Sequence, residues 1–339
     1  MAPENPDKVL LTGGRETGGL TSFAEALAEG FRELGIPAEI IPPNHIWSRW
    51  RDLRDPGVLK VLSTTALFAA PFARRALCVS HGYPSPAFLG WGKFFGHVCA
   101  DRLAILSPEA RFITVSQYSA IHLEAALALK VDAVIPNPIK SAFLEPFNHA
   151  AEERRFLTFA GRLHPDKNVH LLLPAMMDVL HEAPELDVLV IGDGPQREML
   201  KTMAAGNPRV HFTGTLDSIE LRSRLRRTRV FASGCAYEAL GIAYLEALSQ
   251  GCNLAMPACG GGLEIAPELI GSRIQLMPLP LERSSIRSAI QRALGYPNAG
   301  VDLEAYSPRA VAQAYLAAGS DAVKEAGQRQ QAVSLELRP

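Results

Sequence analysis

The chain has 339 residues, of which 47% are hydrophobic and 20% are charged, and its formal net charge is -1. At roughly 150 residues per domain, this length predicts two domains that can each bury a core. The near-neutral charge excludes the global attraction to nucleic acid that a strongly basic protein has, so we expect no nucleic-acid partner.

The cysteines and the N-terminus indicate the compartment. The five cysteines are odd in number and lack CxxC spacing, which argues against a disulfide framework or a zinc site and favours a reducing environment. The N-terminus MAPENPDKVLL lacks the basic-then-apolar order of a signal peptide. The most apolar run, Val61 to Ala73, is too short to cross a bilayer and contains Pro71. We therefore expect a soluble, cytoplasmic protein.

The N-terminal half begins with a strand, a glycine-rich loop and a helix. Lys8 to Thr12 predicts a buried strand, and the loop Arg15 to Leu20 leads into a helix with Phe23, Leu27 and Phe31 on one face. A second strand follows, and such a unit is the building block of an α/β fold with a doubly wound parallel sheet. The strands predicted after the first helix are Ala38 to Ile41, Ala76 to Ser80, Phe112 to Val115 and Ala133 to Ile135.

A polar segment, Ala142 to Arg155, predicts a linker, after which strands and helices alternate again. We therefore predict an N-terminal Rossmann-like domain over 1–143 that binds the acceptor and a C-terminal Rossmann-like domain over 144–308 that binds the nucleotide sugar. A crossover helix over 309–326 and a polar tail over 327–339 complete the chain. Two such domains side by side would form a ligand cleft.

The segment GRLHPDKN, Gly161 to Asn168, directly follows a predicted strand. Its side chains would emerge at the carboxyl end of the sheet, where α/β folds bind ligands. Arg162 and Lys167 bring two cations there, and cations of this kind suit a diphosphate. The alternative is a loop whose charges only face water.

The segment SGCAYEALGIAYLEALSQG, Ser233 to Gly251, places Gly241 at the start of a helix, and that terminus attracts phosphate. Glu238 and Glu246 are eight residues apart, which on a helical path is about 12 Å, close to the reach from a sugar ring past a diphosphate to a ribose. The alternative is one surface glutamate and one capping glutamate.

Two glycine-rich loops and one histidine complete the candidates. Cys259 to Glu264, CGGGLE, would allow a backbone to approach a ligand, or would form an ordinary turn. Gly18 and Gly19 precede a helix, but GGRETGGL does not match GxGxxG, so a nicotinamide cofactor is disfavoured. His81 follows a strand in SHGYPS and is either a site residue or a satisfied strand-end histidine.

Taken in order, these segments resemble family 4 of the glycosyltransferases, a retaining family with the GT-B fold. FAGRLHPDKNVHLLLPA, LDVLVIGDGPQREML and YEALGIAYLEALSQG carry the resemblance in the C-terminal half. The N-terminal half is similar more loosely, through ETGGLTSFAEALAEG, HGYPS, VSQYS and IPNPI. The usual phenylalanine after the first glutamate is Leu240 here, and the usual P-V-V run is Cys252 to Leu254, which leaves the shape of the sugar pocket open.

The resemblance implies a role for each matching residue. Arg162 and Lys167 would neutralise the leaving nucleoside diphosphate, Glu238 would meet hydroxyls of the donor sugar, and His81 would contact that sugar near its anomeric carbon. The implied catalytic residues are therefore Arg162, Lys167, Glu238 and His81. The implied donor-binding residues are Gly18, Gly19, Gly192, Gly194, Gly241, Ile242 and Glu246, with Glu246 on the ribose.

The implied reaction is retaining transfer of a hexosyl unit from a nucleoside-diphosphate sugar to a glycan or lipid-linked acceptor, in bacterial polysaccharide or lipopolysaccharide assembly. We expect no cofactor and no metal, because two cations already face the diphosphate. Two alternatives stay open: an epimerase-type enzyme of the same fold, and a non-catalytic protein that binds sugar nucleotides.

The segment His45 to Arg75 mixes aromatic and basic side chains. Such a mixture can contact an anionic membrane, which would place the protein at the inner face of the cytoplasmic membrane. The alternative that we favour is a core-packed pair of helices with solvated arginines.

Overall fold

A computed structural model describes residues 5–13, 19–82, 90–128, 130–145 and 153–320. The described residues fall into two compact units. The first unit comprises those up to Ser141 together with those from Glu304 onward, and the second unit is Ala142–Leu303. The sequence predicts the first boundary two residues later, between 143 and 144.

The first unit is built on a parallel sheet of six strands in the order β2-β1-β3-β4-β5-β6. Its strands are β1 Lys8–Thr12, β2 Ala38–Ile41, β3 Val58–Ser63, β4 Ala76–Ser80, β5 Ala110–Thr114 and β6 Ala133–Val134. Strands β3 and β4 are buried along their whole length, as expected for a parallel sheet with both faces covered.

The first unit also holds helices that are numbered here in chain order. They are α1 Gly19–Glu33, α2 Trp50–Arg54, α3 Trp91–Ile105, α4 Gln117–Leu127 and α10 over 308–320. Helix α1 buries Phe23, Leu27 and Phe31, which lie four residues apart and therefore on one face. The predicted first helix is confirmed in position and in the face that it buries.

Helix α10 packs on the first unit. A Cβ added to Gly30 of α1 would lie 1.9 Å from the carbonyl oxygen of Pro308, and one added to Gly319 would lie 2.9 Å from Leu59. At Gly30 two backbones approach each other this closely because glycine has no side chain, and at Gly319 the Leu59 side chain takes the place of the missing Cβ. The prediction that the last helix packs back toward the N-terminal domain is confirmed.

The segment 45–75 differs from the predicted pair of helices. A short 3-10 helix, Pro43–Arg49, leads into α2, strand β3 crosses the sheet, and a second 3-10 segment, Thr64–Phe72, follows. Lys60 is fully buried in β3, and its ammonium donates to the carbonyls of Asp55 and Arg74, the latter at 2.6 Å. The sequence prediction was wrong because Val58–Ser63 is buried on both faces and therefore lacks the alternation that distinguishes a strand from a buried helix.

The second unit is built on another parallel sheet, with the order β12-β11-β10-β7-β8-β9. Its strands are β7 Phe156–Ala160, β8 Asp187–Ile191, β9 Val210–Gly214, β10 Thr228–Ala232, β11 Asn253–Pro257 and β12 Ile274–Met277. Its helices are α5 Val169–Glu182, α6 Arg197–Met203, α7 Ser218–Arg226, α8 Ile242–Ser249 and α9 Arg283–Leu294.

The core of the second unit lies between its sheet and two helices. Leu172, Met176 and Val179 of α5 and Ile286 and Ile290 of α9 are buried against the strands. This packing leaves the loops at the carboxyl ends of the strands to carry polar side chains. Among the described residues, no helix is both long and apolar enough to cross a membrane.

Candidate functional site

The candidate site lies where the strand order of the second sheet reverses. Strands β7 and β10 are neighbours there although they are distant in sequence. In doubly wound sheets, ligands bind outside the carboxyl ends of the strands at this point. The loops that follow β7 and β10 carry Arg162, Lys167 and Glu238.

An ion pair joins the two loops. The Nζ atom of Lys167 lies 2.8 Å from Oε2 of Glu238, and the side chains are 20% and 27% exposed. Burial alone would lower the pKa of Lys167, but the Glu238 carboxylate outweighs burial and raises that pKa well above its ordinary value. Lys167 is therefore a fixed positive charge at neutral pH.

Cys235 lies beside this pair. Its Sγ atom is 3.4 Å from Nζ of Lys167. Burial and the nearby Glu238 raise the pKa of the Cys235 thiol to about 11. The thiol is therefore a neutral neighbour of the pair at physiological pH.

The backbones of the two loops are held together by Asn168, for which the sequence assigned no role. Asn168 has a left-handed φ of 49°, and its Nδ2 donates to the carbonyl of Gly234 at 2.9 Å. The hydroxyl of Tyr244, on α8, donates to Oγ of Ser233 at 3.0 Å. These two hydrogen bonds fix the loops that carry Lys167 and Glu238. The only sequence signal for Asn168 was its place at the end of GRLHPDKN.

Arg162 differs from Lys167 in exposure. Its side chain is 62% exposed, and Nη2 lies 3.8 Å from Oδ2 of Asp166. The other oxygen of Asp166 lies 2.6 Å from Nδ1 of His164. Arg162 is thus a cation on the surface of the loop, able to reorient, whereas Lys167 is held in place.

Two glycines after β8 pack against the loop after β7. Gly192 and Gly194 have φ values of 124° and 155°. A Cβ on Gly192 would lie 1.9 Å from the carbonyl oxygen of Gly161, and one on Gly194 would lie 2.6 Å from that of Leu163. A larger residue at either position would displace the loop that holds Arg162 and Lys167.

Helix α8 presents its N-terminus next to the Glu238 loop. Gly241 is the N-cap residue, with a φ of 93°, and Ile242 is the first helical residue. The free backbone N–H groups of such a terminus favour an anion. Glu246 lies half-buried farther along the same helix.

The CGGGLE loop supports the backbone of Glu238. The N–H of Gly261 donates to the carbonyl of Glu238 at 2.9 Å, and a Cβ on Gly260 would lie 2.7 Å from that oxygen. These glycines therefore support the Glu238 backbone through close packing.

The candidates in the first unit are His81, Gly18 and Gly19. His81 follows β4, and burial lowers the pKa of its imidazole to about 4, so the ring is neutral at pH 7. Gly19 begins α1, and a Cβ there would meet no atom of the described residues within 4 Å. Gly18 lies outside the described residues.

Among residues 5–13, 19–82, 90–128, 130–145 and 153–320, no group of three or more His, Cys, Asp or Glu side chains is arranged to hold an ion.

Comparison with known proteins gives matches in sequence and in fold. Residues 142–269 match the family model described as glycosyl transferases group 1. The sulfoquinovosyl transferase SQD2 of Arabidopsis thaliana is 35% identical over 116 residues, which are 34% of this chain and 22% of that protein. A GDP-mannose-dependent monoacylated alpha-(1-6)-phosphatidylinositol monomannoside mannosyltransferase of Corynebacterium glutamicum is 31% identical over 257 residues, 69% of this chain and 63% of that one. Both matches span less than two thirds of the relative's own length.

The structure of Anabaena HepE in complex with UDP and glucose is similar to the whole chain. The similarity covers 96% of this chain and 99% of HepE, with a TM-score of 0.65 and 16% sequence identity. At this identity the likeness concerns the fold alone, and it confirms the predicted architecture of two doubly wound α/β sheets.

Proposed function

Because residues 142–269 match the family model of glycosyl transferases group 1, on a GT-B fold, we propose that the protein transfers a hexosyl unit from a nucleoside-diphosphate sugar to a glycan or lipid-linked acceptor. The observation that carries this proposal is the Lys167–Glu238 pair at the strand-order reversal of the second sheet. A fixed cation and a carboxylate meet there beside the positive end of α8.

The cations have a direct role in the proposed reaction. Negative charge grows on the departing diphosphate, and preorganised positive groups stabilise it. Lys167 has three N–H donors, so it can keep its bond to Glu238 while it donates to phosphate oxygens. Exposed Arg162 would fold onto the diphosphate, and the N-terminus of α8 at Gly241 would add its dipole.

The carboxylates would anchor the two ends of the donor. Glu238 keeps one carboxylate oxygen beyond the Lys167 contact, and that oxygen can accept from a sugar hydroxyl. Glu246 would accept from the ribose. Gly18, Gly19, Gly192, Gly194 and Ile242 would border the donor, and His81 would meet the sugar near its anomeric carbon.

We further propose that transfer retains the anomeric configuration and needs no metal ion. Retention follows from the family resemblance, and the NMR coupling of the product's anomeric proton tests it. The metal-free proposal rests on Lys167 and Arg162 as the charges opposite the diphosphate. Full activity in excess chelator is expected, and loss of activity that magnesium restores would contradict it.

The acceptor is proposed from the relatives and from one surface. The name of the Corynebacterium relative specifies a phosphatidylinositol monomannoside acceptor. In the first unit, Trp47, Trp50 and Phe72 are 44% to 48% exposed and form one aromatic cluster with ring centroids 5.8 and 6.0 Å apart. Arg54 lies over the Trp50 ring at 5.8 Å. Aromatic and basic groups in this mixture suit an anionic membrane that carries a lipid-linked acceptor.

Vesicle binding tests this membrane proposal. We expect the protein to co-sediment with anionic vesicles more than with zwitterionic ones, and Trp50→Ser to weaken that binding. Equal sedimentation with both vesicle types would contradict it. A cytoplasmic location at the inner membrane face is proposed with it, because all five cysteines are free, which suits a reducing compartment. Polysaccharide or lipopolysaccharide assembly is the proposed pathway.

Nucleotide binding is the decisive experiment. Thermal unfolding would be measured with UDP, GDP and ADP, and then with their sugars. One of these nucleotides should raise the melting temperature of the wild type, and it should raise that of Lys167→Ala much less. No shift with any nucleotide would refute the donor site. A shift without transfer to any acceptor would favour the non-catalytic alternative, and a changed sugar on an intact donor would favour the epimerase.

A further inference from the structure

Three aromatic rings connect α10 to the end of β4. The ring of Phe23, on α1, meets the His81 imidazole edge-on, with centroids 4.5 Å apart and an interplanar angle of 71°. On its other side, the ring of Tyr315, on α10, lies 6.2 Å from Phe23 at 52°. Phe23 is 1% exposed and Tyr315 is fully buried, so solvent does not separate the three rings.

Each outer ring has one buried polar atom without a hydrogen-bond partner among the described residues. Nε2 of His81 and the hydroxyl of Tyr315 are both buried and unpaired within the part of the chain that the structure describes. A buried polar atom without a partner is costly and calls for an explanation. Ring packing against Phe23, together with the Asn137 side chain, therefore surrounds the imidazole, while Nε2 has no hydrogen-bond partner among the described residues.

Helix α10, which carries Tyr315, is held in place by two close contacts. One end is locked where Gly30 meets the Pro308 carbonyl, and the other where Gly319 meets Leu59 of β3. Tyr315 lies between these two contacts. The Tyr315 ring therefore lies on a helix that packs closely at both ends, and this ring in turn packs against Phe23.

We infer that Phe23 and Tyr315 are positioning residues that hold the His81 imidazole in its working orientation. The inference rests on the proposed function, in which His81 contacts the donor sugar. It adds that the segment 308–320, far from His81 in sequence, supports the sugar-binding histidine through its aromatic ring. Neither Phe23 nor Tyr315 needs to touch the substrate.

The test compares Phe23→Leu and Tyr315→Leu with two controls. Phe31→Leu removes an equally buried ring from the helix that carries Phe23, at a distance from His81. Tyr315→Phe keeps the ring and removes a hydroxyl that has no hydrogen-bond partner among the described residues. NMR titration of the His81 imidazole, assigned with His81→Gln, measures its pKa in each variant. Steady-state kinetics separate kcat from the donor KM.

We expect the pKa of His81 to rise from about 4 by about one unit or more in both ring-removing variants, toward the ordinary value, because packing no longer excludes water. We expect kcat to fall about tenfold or more with little change in the donor KM, since a small misplacement of a reacting contact is costly. Tyr315→Phe and Phe31→Leu should leave both quantities near wild type.

Two results would overturn the inference. One is an unchanged His81 pKa and kcat in Phe23→Leu and Tyr315→Leu, and the other is equal changes in Phe31→Leu, which would indicate general loosening. Failure of the proposed function would look different. The wild type would then show no nucleotide-dependent thermal shift, while the His81 titration would still report on the three rings.

Discussion

The Lys167–Glu238 pair gives the sharpest prediction. Lys167→Ala removes the fixed cation opposite the proposed diphosphate and leaves the Glu238 carboxylate without its partner at 2.8 Å. By comparison with the loss of one oxyanion-stabilising group, kcat/KM should fall by about 10²–10³, or about 3–4 kcal/mol in the activation barrier.

Stability should change much less than activity. The side chains of Lys167 and Glu238 are 20% and 27% exposed, so water partly screens their attraction. Pairs with this access to solvent contribute at most about 1 kcal/mol to folding. Urea unfolding of Lys167→Ala should therefore show a small loss beside the large loss in kcat/KM.

The matched control is Lys201→Ala. Lys201 pairs with Glu198 at 2.9 Å in the same unit, on the exposed helix α6 and outside the proposed site. This variant should keep wild-type kcat/KM. The reasoning is refuted if Lys167→Ala loses less than about tenfold in kcat/KM, or if Lys201→Ala loses as much.

Glu238→Gln extends the same test. A double-mutant cycle with Lys167→Ala should be non-additive, because side chains in contact share one interaction and both would act on one donor. Strictly additive losses in activity would show that the two residues act independently.

Three further predictions concern other parts of the molecule. Burial lowers the pKa of Lys60 to about 7 from an unfolded value of 10.5. Between these pH values the unfolded chain binds more protons than the folded one, so the free energy of unfolding should rise with pH by about 1.4 kcal/mol per pH unit. Urea unfolding at several pH values should show this slope in the wild type and not in Lys60→Met, and the same pH dependence in both proteins would contradict the prediction. Gly192→Ala should lower the melting temperature and weaken nucleotide binding more than the control Gly206→Ala does. Both glycines have a positive φ, but of the two only a Cβ on Gly192 would clash with backbone, 1.9 Å from the Gly161 carbonyl oxygen. With a His81 pKa of about 4, kcat/KM should show no titration attributable to His81 between pH 5.5 and 8, and a limb near 6.5 that disappears in His81→Gln would refute the buried imidazole.

The local pattern of apolar and polar residues was sufficient to predict many strands and helices of this fold. The strands Lys8–Thr12, Ala38–Ile41 and Ala76–Ser80 have the predicted bounds, because these short runs are closed by glycine, proline or polar residues. The segment 45–75 failed because β3 is buried on both faces and so shows no strand alternation. The charged residue Lys60 in this strand suggested a solvated surface, although its buried ammonium donates hydrogen bonds to two backbone carbonyls.

The candidate site was predicted in parts but not in its arrangement. Arg162, Lys167 and Glu238 were placed after strands, and the sheet order brings those loops together. The residue types indicated a diphosphate role for Lys167, and the family resemblance implied a sugar contact for Glu238. Neither indicated that the two side chains form an ion pair. The links made by Asn168 and Tyr244 were also missed, because they join residues that are far apart in the chain.

The sequence alone therefore determined the α/β class, the alternation of strands and helices, and the residue types that can meet a charged donor, since these depend on periodicity and on motifs within a few residues. Only the tertiary structure decided which charges become partners and how buried each is. It separated Lys167, held by Glu238, from Arg162, which is largely exposed, and it placed Tyr315 behind Phe23 and His81. Burial and pairing depend on contacts between distant segments, and these exist only once the sheets have formed.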